Sequence, residues 1–380
     1  MPRILYRAID PAGLPVEDVV DAVSAREAVA MLGERGFTCV QLLGAPLDAG
    51  LRDGATPVLE GRAADDVARL QAAVRRPGYG LWSVWRQVLR GARWWLALAA
   101  LMAAYGLWVR SGFLAILGIA MLGLPFVLSG LSYRHAARYE AYLRAAAFGR
   151  REEMARLAQL LGRAVADPAM RFDLAMREAE FVAREQGIEA AMAQVEPLRE
   201  ALDLDQRASG LFSARAALLH LAAGDAAGFV QGMRDAWEES GRDSSRALDA
   251  ALAEARCGNP DNAHALLADI DAASLPVMAA SFHAWTRALL QEQAGEDGRE
   301  AFSRALGGFS EHARLSAVWS ALATCACDYA LALARHGQPS QGSALVDTVW
   351  PVARVHLDGP TRHLIQHTFF AGQAPAASER

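Results

Sequence analysis

Three regimes of hydrophobic and polar positions follow one another along the chain. In the first, ILYRAID alternates apolar and polar residues like a strand with one buried face, Asp10-Pro11-Ala12-Gly13 is a turn, and VEDVVDAV offers a second strand. Ser24 then caps a helix whose apolar face is Ala28, Val29 and Leu32, with Glu27 three residues past the cap. Gly36 ends that helix, and FTCVQLL is a third strand. Residues 1–43 are thus expected to form a small β-β-α-β module.

The second regime abandons alternation. GAPLDAGLRDGATPVLEG reads as a flexible linker, rich in Gly, Pro and Asp. Residues 62–74 look helical, with Val67, Leu70 and Val74 on one side, until Pro77 and Gly78 stop them. LWSVWRQVLR sets Leu81, Trp82, Trp85, Val88 and Leu89 against Arg86 and Arg90, a pattern that fits an interfacial helix as well as an N-terminal extension of the first membrane span. These segments make up a linker and juxtamembrane region over 44–93. From Trp94 to Val109 there is no charge; Arg110 and Ser111 interrupt, and Gly112 to Tyr133 is again uncharged. A bilayer core asks for roughly 20 apolar helical residues. The second run meets that, and Arg93 and Arg110 can snorkel to extend the first. Residues 94–133 are expected to be a two-helix transmembrane hairpin.

The third regime, 134–380, is helical throughout and repeats. Gly149, Gly187, Gly224, Gly258, Gly295 and Gly337 each follow an Ala/Leu-rich helix and precede another, at intervals of about 34 to 42 residues. Small residues before each glycine let paired helices approach, and glycine supplies a left-handed cap. Pro260 and Pro339 fall near the first turn of the following helix, where proline is tolerated. The expectation is an α-solenoid whose leading helix, Arg134 to Phe148, continues directly from the second span, giving a mainly α membrane protein overall.

Charge then orients the hairpin. Arg75, Arg76, Arg86, Arg90 and Arg93 precede it, Arg134, Arg138, Arg144, Arg150 and Arg151 follow it, and only Arg110 lies in the turn, so both flanks are expected in the cytoplasm. Trp82, Trp85, Trp94, Trp95 and Trp108, with Arg93, Arg110 and Arg134, are the membrane-interface candidates. The opening MPRILYRAIDP has no basic region followed by an apolar core, so no cleavable signal peptide is expected. A net charge of −5, with Lys and Arg balanced by Asp and Glu, leaves no basic footprint for nucleic acid. Cys39, Cys257, Cys325 and Cys327 sit in apolar patterns without a C-x-x-C pair and read as reduced thiols. Abundant Ala, Arg and Leu at the expense of Lys points to a GC-rich bacterial gene.

Two resemblances add to these readings. Tyr6, Ala8, Asp10, Gly13, Ala22, Ser24, Ala28, Leu32 and Gly36 stand in register with the opening segment of the inner-membrane platform proteins of type II secretion and type IV pilus systems, the F family. Asp18 departs from it, where that family usually has glycine, and the rest of the chain does not follow the family's repeated halves. The resemblance implies an inner-membrane protein linked to secretion or pilus assembly. The glycine-punctuated units resemble tetratricopeptide repeats, with most of that family's Trp, Tyr and terminal Pro positions absent; this implies a groove that binds a protein or peptide partner.

Candidate chemistry is sparse. His363 and His367 fall at i and i+4 on the last helix, the spacing of a metal pair, but neither a Glu between them nor a third ligand accompanies them. Ser129 lies in no G-x-S-x-G context, and His135 stands outside the span. Trp237, Trp285, Trp319 and Trp350 recur through the repeats as core knobs or as anchors for a bound peptide. The expectation is a non-enzymatic inner-membrane scaffold without cofactor, binding a cytosolic partner, its oligomeric state left open, a homo-oligomer included. The alternative is a membrane-anchored metal protein or enzyme using His363 and His367.

Overall fold

Glycine punctuation is the feature that carries over from sequence to fold most directly. In the computed structural model, which describes residues 3–9, 15–21, 31–32, 38–42, 62–75, 81–164, 168–199 and 210–370, all six repeat glycines have positive φ, between 70° and 90°. At five of them the same pair of backbone bonds closes the helix. Gly224 N–H, for example, donates to the Leu221 carbonyl and Asp225 N–H to that of His220, the double bond of a left-handed helix end. Gly187 is the variant: with φ 90° and ψ 174° it lies outside the left-handed helical region and opens directly into the next helix.

Each glycine therefore sits in the bend of a helical hairpin, and six hairpins follow one another. They pair α4 (Gly112–Ala147) with α5 (Arg151–Ala164), α6 (Pro168–Gln186) with α7 (Ile188–Val195), and α8 (Leu211–Ala223) with α9 (Ala226–Glu239). They continue with α10 (Ser244–Arg256) and α11 (Pro260–Leu267), α12 (Val277–Gln293) and α13 (Arg299–Glu311), α14 (Trp319–Arg335) and α15 (Pro339–His356). A last helix, α16 (Gly359–Phe370), packs on α15. Close approach inside the hairpins uses the small residues expected there. A Cβ at Gly342 would sit 2.7 Å from the Ala330 carbonyl oxygen across the last hairpin.

The succession does not remain open at its ends. Glu140, in the leading stretch of α4, accepts hydrogen bonds from the Ser316 backbone N–H at 2.9 Å and from its hydroxyl. Phe148 meets Trp319 edge to face with centroids 5.7 Å apart, and Val355 packs on Gly149. The first hairpin covers a face of the last, so neither leaves that apolar surface to water.

The remaining described elements precede the hairpins. Strands β1 (Arg3–Ile9), β2 (Pro15–Asp21) and β3 (Thr38–Leu42) pair antiparallel in the order β2-β1-β3, with an irregularity between Arg7 and Ile9 against β3. Asp18, where the chain departs from the F-family pattern, is the register partner of Tyr6. The helix expected between Ser24 and Gly36 lies outside the described residues except for Met31 and Leu32, which are helical, Leu32 being buried; the linker 44–61 lies outside them altogether.

Helix α1 (Arg62–Arg75) covers the helix expected over 62–74, but it packs on the helical domain, not in the linker and juxtamembrane region in which the sequence places it. Ala63, Val67, Leu70 and Ala73 are buried in the main core of the helical domain together with Phe302, Leu306 and Val346. The amphipathic face was legible; that α13 and α15 present a matching apolar face was not.

Helices α2 (Leu81–Gly91) and α3 (Arg93–Trp108) lead into α4, which runs without interruption through Pro125 and past Tyr133 into the helical domain. Helices α3 and α4 form a tight antiparallel pair around a turn in which Arg110 takes φ 53°. Ala99, Ala103 and Gly106 face α4, where a Cβ at Gly118 would come 2.7 Å from the Ala103 Cα. The other faces expose Leu98, Leu101, Leu107, Phe113, Ile116 and Val127. Helix α4 is long and apolar enough to cross a membrane. Helix α3, at 16 residues, is shorter than a straight span requires. Residues Ser316–Arg335 also qualify by length and composition, but they are largely buried inside the helical domain and belong to its core.

Candidate binding groove

The first helices of successive hairpins line one groove of about 520 Å³. Their contributions follow helical spacing: Arg177, Glu180 and Arg184 from α6, Ala214, Arg215, Leu218 and Leu221 from α8, and Arg246, Asp249, Leu252 and Arg256 from α10. Phe282 and Trp285 of α12, Ser320 and Thr324 of α14, Phe229 and Met233 of α9, and His356 at the end of α15 complete it. In the sequence these stripes look like the solvated faces of amphipathic helices. Only the stacking of hairpins turns five such faces inward.

The floor is apolar and the walls are arginine-rich. Asp173 is shared: it accepts from Arg177 at 2.9 Å, from Arg215 at 2.9 Å and from the Tyr139 hydroxyl at 2.7 Å. Burial opposes ionisation of Asp173, but the Arg177 and Arg215 charges and these bonds hold its carboxyl below the usual range. Arg256 bonds Asp358 at 3.1 Å, and Arg246 bonds Asp249 at 3.0 Å. Burial pushes the Asp249 carboxyl up despite that partner. Arg184 meets Glu180 only at 3.9 Å, and its guanidinium stacks 5.2 Å from the Phe181 ring. His356 is pushed down to about 3, by burial first and then by the Arg184 and Arg177 charges, so it stands neutral, with Nε2 buried and no hydrogen-bond partner among the described residues.

Of the four repeat tryptophans only Trp285 reaches this groove. It is 3 % exposed, and its indole N–H donates to Asp328 at 3.0 Å in the core, with Phe309 edge-on beside it. Trp319 is buried and donates to the Ala313 carbonyl at 2.6 Å, where it joins the first and last hairpins. Trp237 lies half-buried on α9 under the Arg242 guanidinium, and Trp350 packs on Phe370. An exposed aromatic anchor is thus absent at Trp285 and Trp319, because indoles in this Ala-rich packing fill gaps that small residues leave.

His363 and His367 are both exposed on α16, and among the described residues neither joins a third ligand. The structure instead brings together Glu292, Asp297 and His336, separated in sequence and so invisible there. Their charges are already committed: Glu292 to Arg335 at 3.1 Å and His336 at 3.0 Å, Asp297 to Arg299 at 2.8 Å, a bond that is the main cause of its lowered carboxyl pKa. The Ser129 hydroxyl donates to the Phe126 carbonyl.

At the hairpin, Trp94 and Trp108 are 77 % and 81 % exposed, and Trp82 and Trp95 are exposed too. Arg93 lies over the Trp94 ring, and the Trp95 indole donates to the Met121 carbonyl at 3.2 Å, tying α3 to α4. Trp85 is half-buried edge-on to Phe126, which binds α2 to α4. Arg110 and Arg134 are exposed at the turn and at the opposite end of the apolar stretch.

Residues 1–42 match the family described as Type II secretion system protein F, N-terminal domain. The match coincides with the segment that carries Tyr6 through Gly36, and it leaves the hairpin and the helical domain outside it. No curated protein and no solved structure matches the chain.

Proposed function

We propose that this chain is a non-enzymatic scaffold of the bacterial inner membrane, acting in secretion or pilus assembly. In this reading α3 and α4 form a transmembrane hairpin, and a tetratricopeptide-like helical domain recruits a protein partner in the cytoplasm. The observation that carries it is the match of residues 1–42 to the N-terminal domain of a secretion-system protein, on a chain that also holds a long apolar helix. The exposed leucines and tryptophans of α3 and α4 support insertion in lipid, since an apolar surface of that extent is costly in water. Glycine-turned hairpins whose first helices share a groove support the repeat reading.

Ten flanking arginines against Arg110 in the turn orient both large parts to the cytoplasm. Labelling of intact cells with a membrane-impermeant thiol reagent tests this: a cysteine placed at Ser111 reacts, while Cys39 and Cys257 do not. Modification of Cys257 from outside, or recovery of the protein in the soluble fraction, refutes the membrane reading. Deletion of the gene in its own host is expected to abolish secretion or pilus assembly, and a host unaffected in both refutes the assigned process.

A further inference from the structure

We propose that the groove binds an acidic, partly apolar segment of a partner polypeptide. Its carboxylates would meet Arg177, Arg184 and Arg215, and its apolar side chains would lie on Leu218, Leu221 and Phe229. The inference rests on the scaffold reading and gives it a site and a ligand chemistry.

Charge complementarity selects the occupant. Around α6 one carboxylate, Asp173, serves both Arg177 and Arg215, and among the described residues the acid paired with Arg184 is Glu180 at 3.9 Å. Arg151 and Arg362 stand close enough to disfavour the Arg184 charge further, after burial itself, and His356 adds no compensating anion. Guanidiniums remain charged at any physiological pH, so the wall keeps a surplus of cations and of N–H donors in a fork that fits carboxylates. A small acid or phosphate would find nothing to do with the hydrocarbon of Leu218, Leu221 and Phe229 beside them. The groove volume of about 520 Å³ lies in the range of sites that enclose a ligand rather than an ion. A peptide with acidic and apolar residues side by side satisfies both surfaces, and the neutral floor discriminates against one that is only acidic.

The test uses full-length protein in detergent micelles, panned against a display library of short random peptides, with enriched sequences resynthesised for fluorescence anisotropy. Enriched peptides are expected to carry Asp or Glu next to Leu, Ile or Phe, and to weaken as salt is raised. Their affinity should fall roughly tenfold or more in Arg184→Glu, about 1.4 kcal/mol per tenfold. Ala317→Trp, which crowds the groove without changing charge, should weaken the same peptides, and Gln231→Trp, exposed and outside the groove, should not. Helicity by circular dichroism guards each variant against misfolding. Enrichment of basic or uncharged peptides, enrichment of none, or acidic peptides indifferent to both groove variants overturns the proposal. A photo-crosslinking residue at Leu218 and another at Gln231, used in cells, separate the groove from the scaffold role. Capture at Leu218 of a segment with the acidic-apolar pattern supports the groove. Capture at Gln231 alone overturns the groove and leaves the scaffold standing, and capture at neither counts against both.

Discussion

At Asp66 the chain buries a carboxylate completely and surrounds it with donors: Ser303 at 2.9 Å, Tyr329 at 3.1 Å and the half-exposed Arg69 at 3.3 Å. Removing the acceptor strands two buried hydroxyls, each costing about 1–3 kcal/mol. Asp66→Ala should therefore lower the thermal midpoint of the detergent-solubilised protein sharply, and Asp66→Asn, which keeps an accepting oxygen, should lower it less. Equal losses in the two would show that the acceptor is not what matters. A second residue sets a pH dependence. Burial raises Asp347 to about 6, offset in part by its bond with Ser343. Between roughly pH 4, the unfolded value, and pH 6 the folded state holds a proton that the unfolded state has released. The contribution of Asp347 to stability thus falls as pH rises through that window and is flat above it. Asp347→Asn should be more stable than the parent above pH 6, by up to roughly 3 kcal/mol at 1.36 kcal/mol per unit, with the difference shrinking towards pH 4. A pH-independent difference in chemical denaturation would contradict this. Neither residue announces itself in the sequence: RAADDVARL and ALVDTV read as ordinary amphipathic helix.

Among the elements, the α3–α4 pair and the glycine turns rest on backbone contact rather than on side-chain volume. A Cβ at Gly118 has no room against Ala103, whereas at Gly123, on the same helix, it meets nothing within 4 Å. Gly118→Leu should loosen the hairpin, seen as a lower midpoint and faster proteolysis in detergent, while Gly123→Leu should leave both unchanged. If the two variants behave alike, close packing of the pair is wrong. The turns differ in kind. At Gly258, φ is 82° and nothing crowds a Cβ, so the cost of substitution is conformational alone. Gly258→Ala should cost about 1–2 kcal/mol, and Gly258→Asn less, since Asn tolerates the left-handed region. These glycines were legible because their requirement is local; the packing glycines of α3 and α4 were not, because it depends on the opposite helix.

For the whole molecule, burying α1 means that the helical core takes in residues ahead of Arg134, where the sequence places the start of the helical domain. A fragment of residues 150–370 lacks Val67 and Leu70, each contributing about 1.5–3 kcal/mol on burial, and also the Phe148 and Glu140 contacts that close the first hairpin onto the last. It should be helical but aggregation-prone, with reduced midpoint and exposed apolar surface detectable by dye binding. Added peptide 62–75 should recover part of the loss. A monomeric fragment as stable as the parent would show that α1 and the leading stretch of α4 are dispensable.

What the sequence determined by itself is what depends on neighbours a few residues away: strand alternation up to Ile9 and Asp21, the charge-free runs around Arg110, helix period, and left-handed ends at Gly149, Gly224, Gly258, Gly295 and Gly337. Local period and local backbone freedom are written in adjacent residues, so a single chain suffices to read them. What only the tertiary structure decided is which faces meet. Trp285 and Trp319 became core, Ser316–Arg335 became an interior helix despite its apolar length, and Asp66 found Tyr329. The stripe Arg177, Glu180, Arg184 turned from a solvated face into a groove wall. Burial is a property of pairs of surfaces, and the partner of each surface here stands tens to hundreds of residues away, beyond the reach of any periodic pattern.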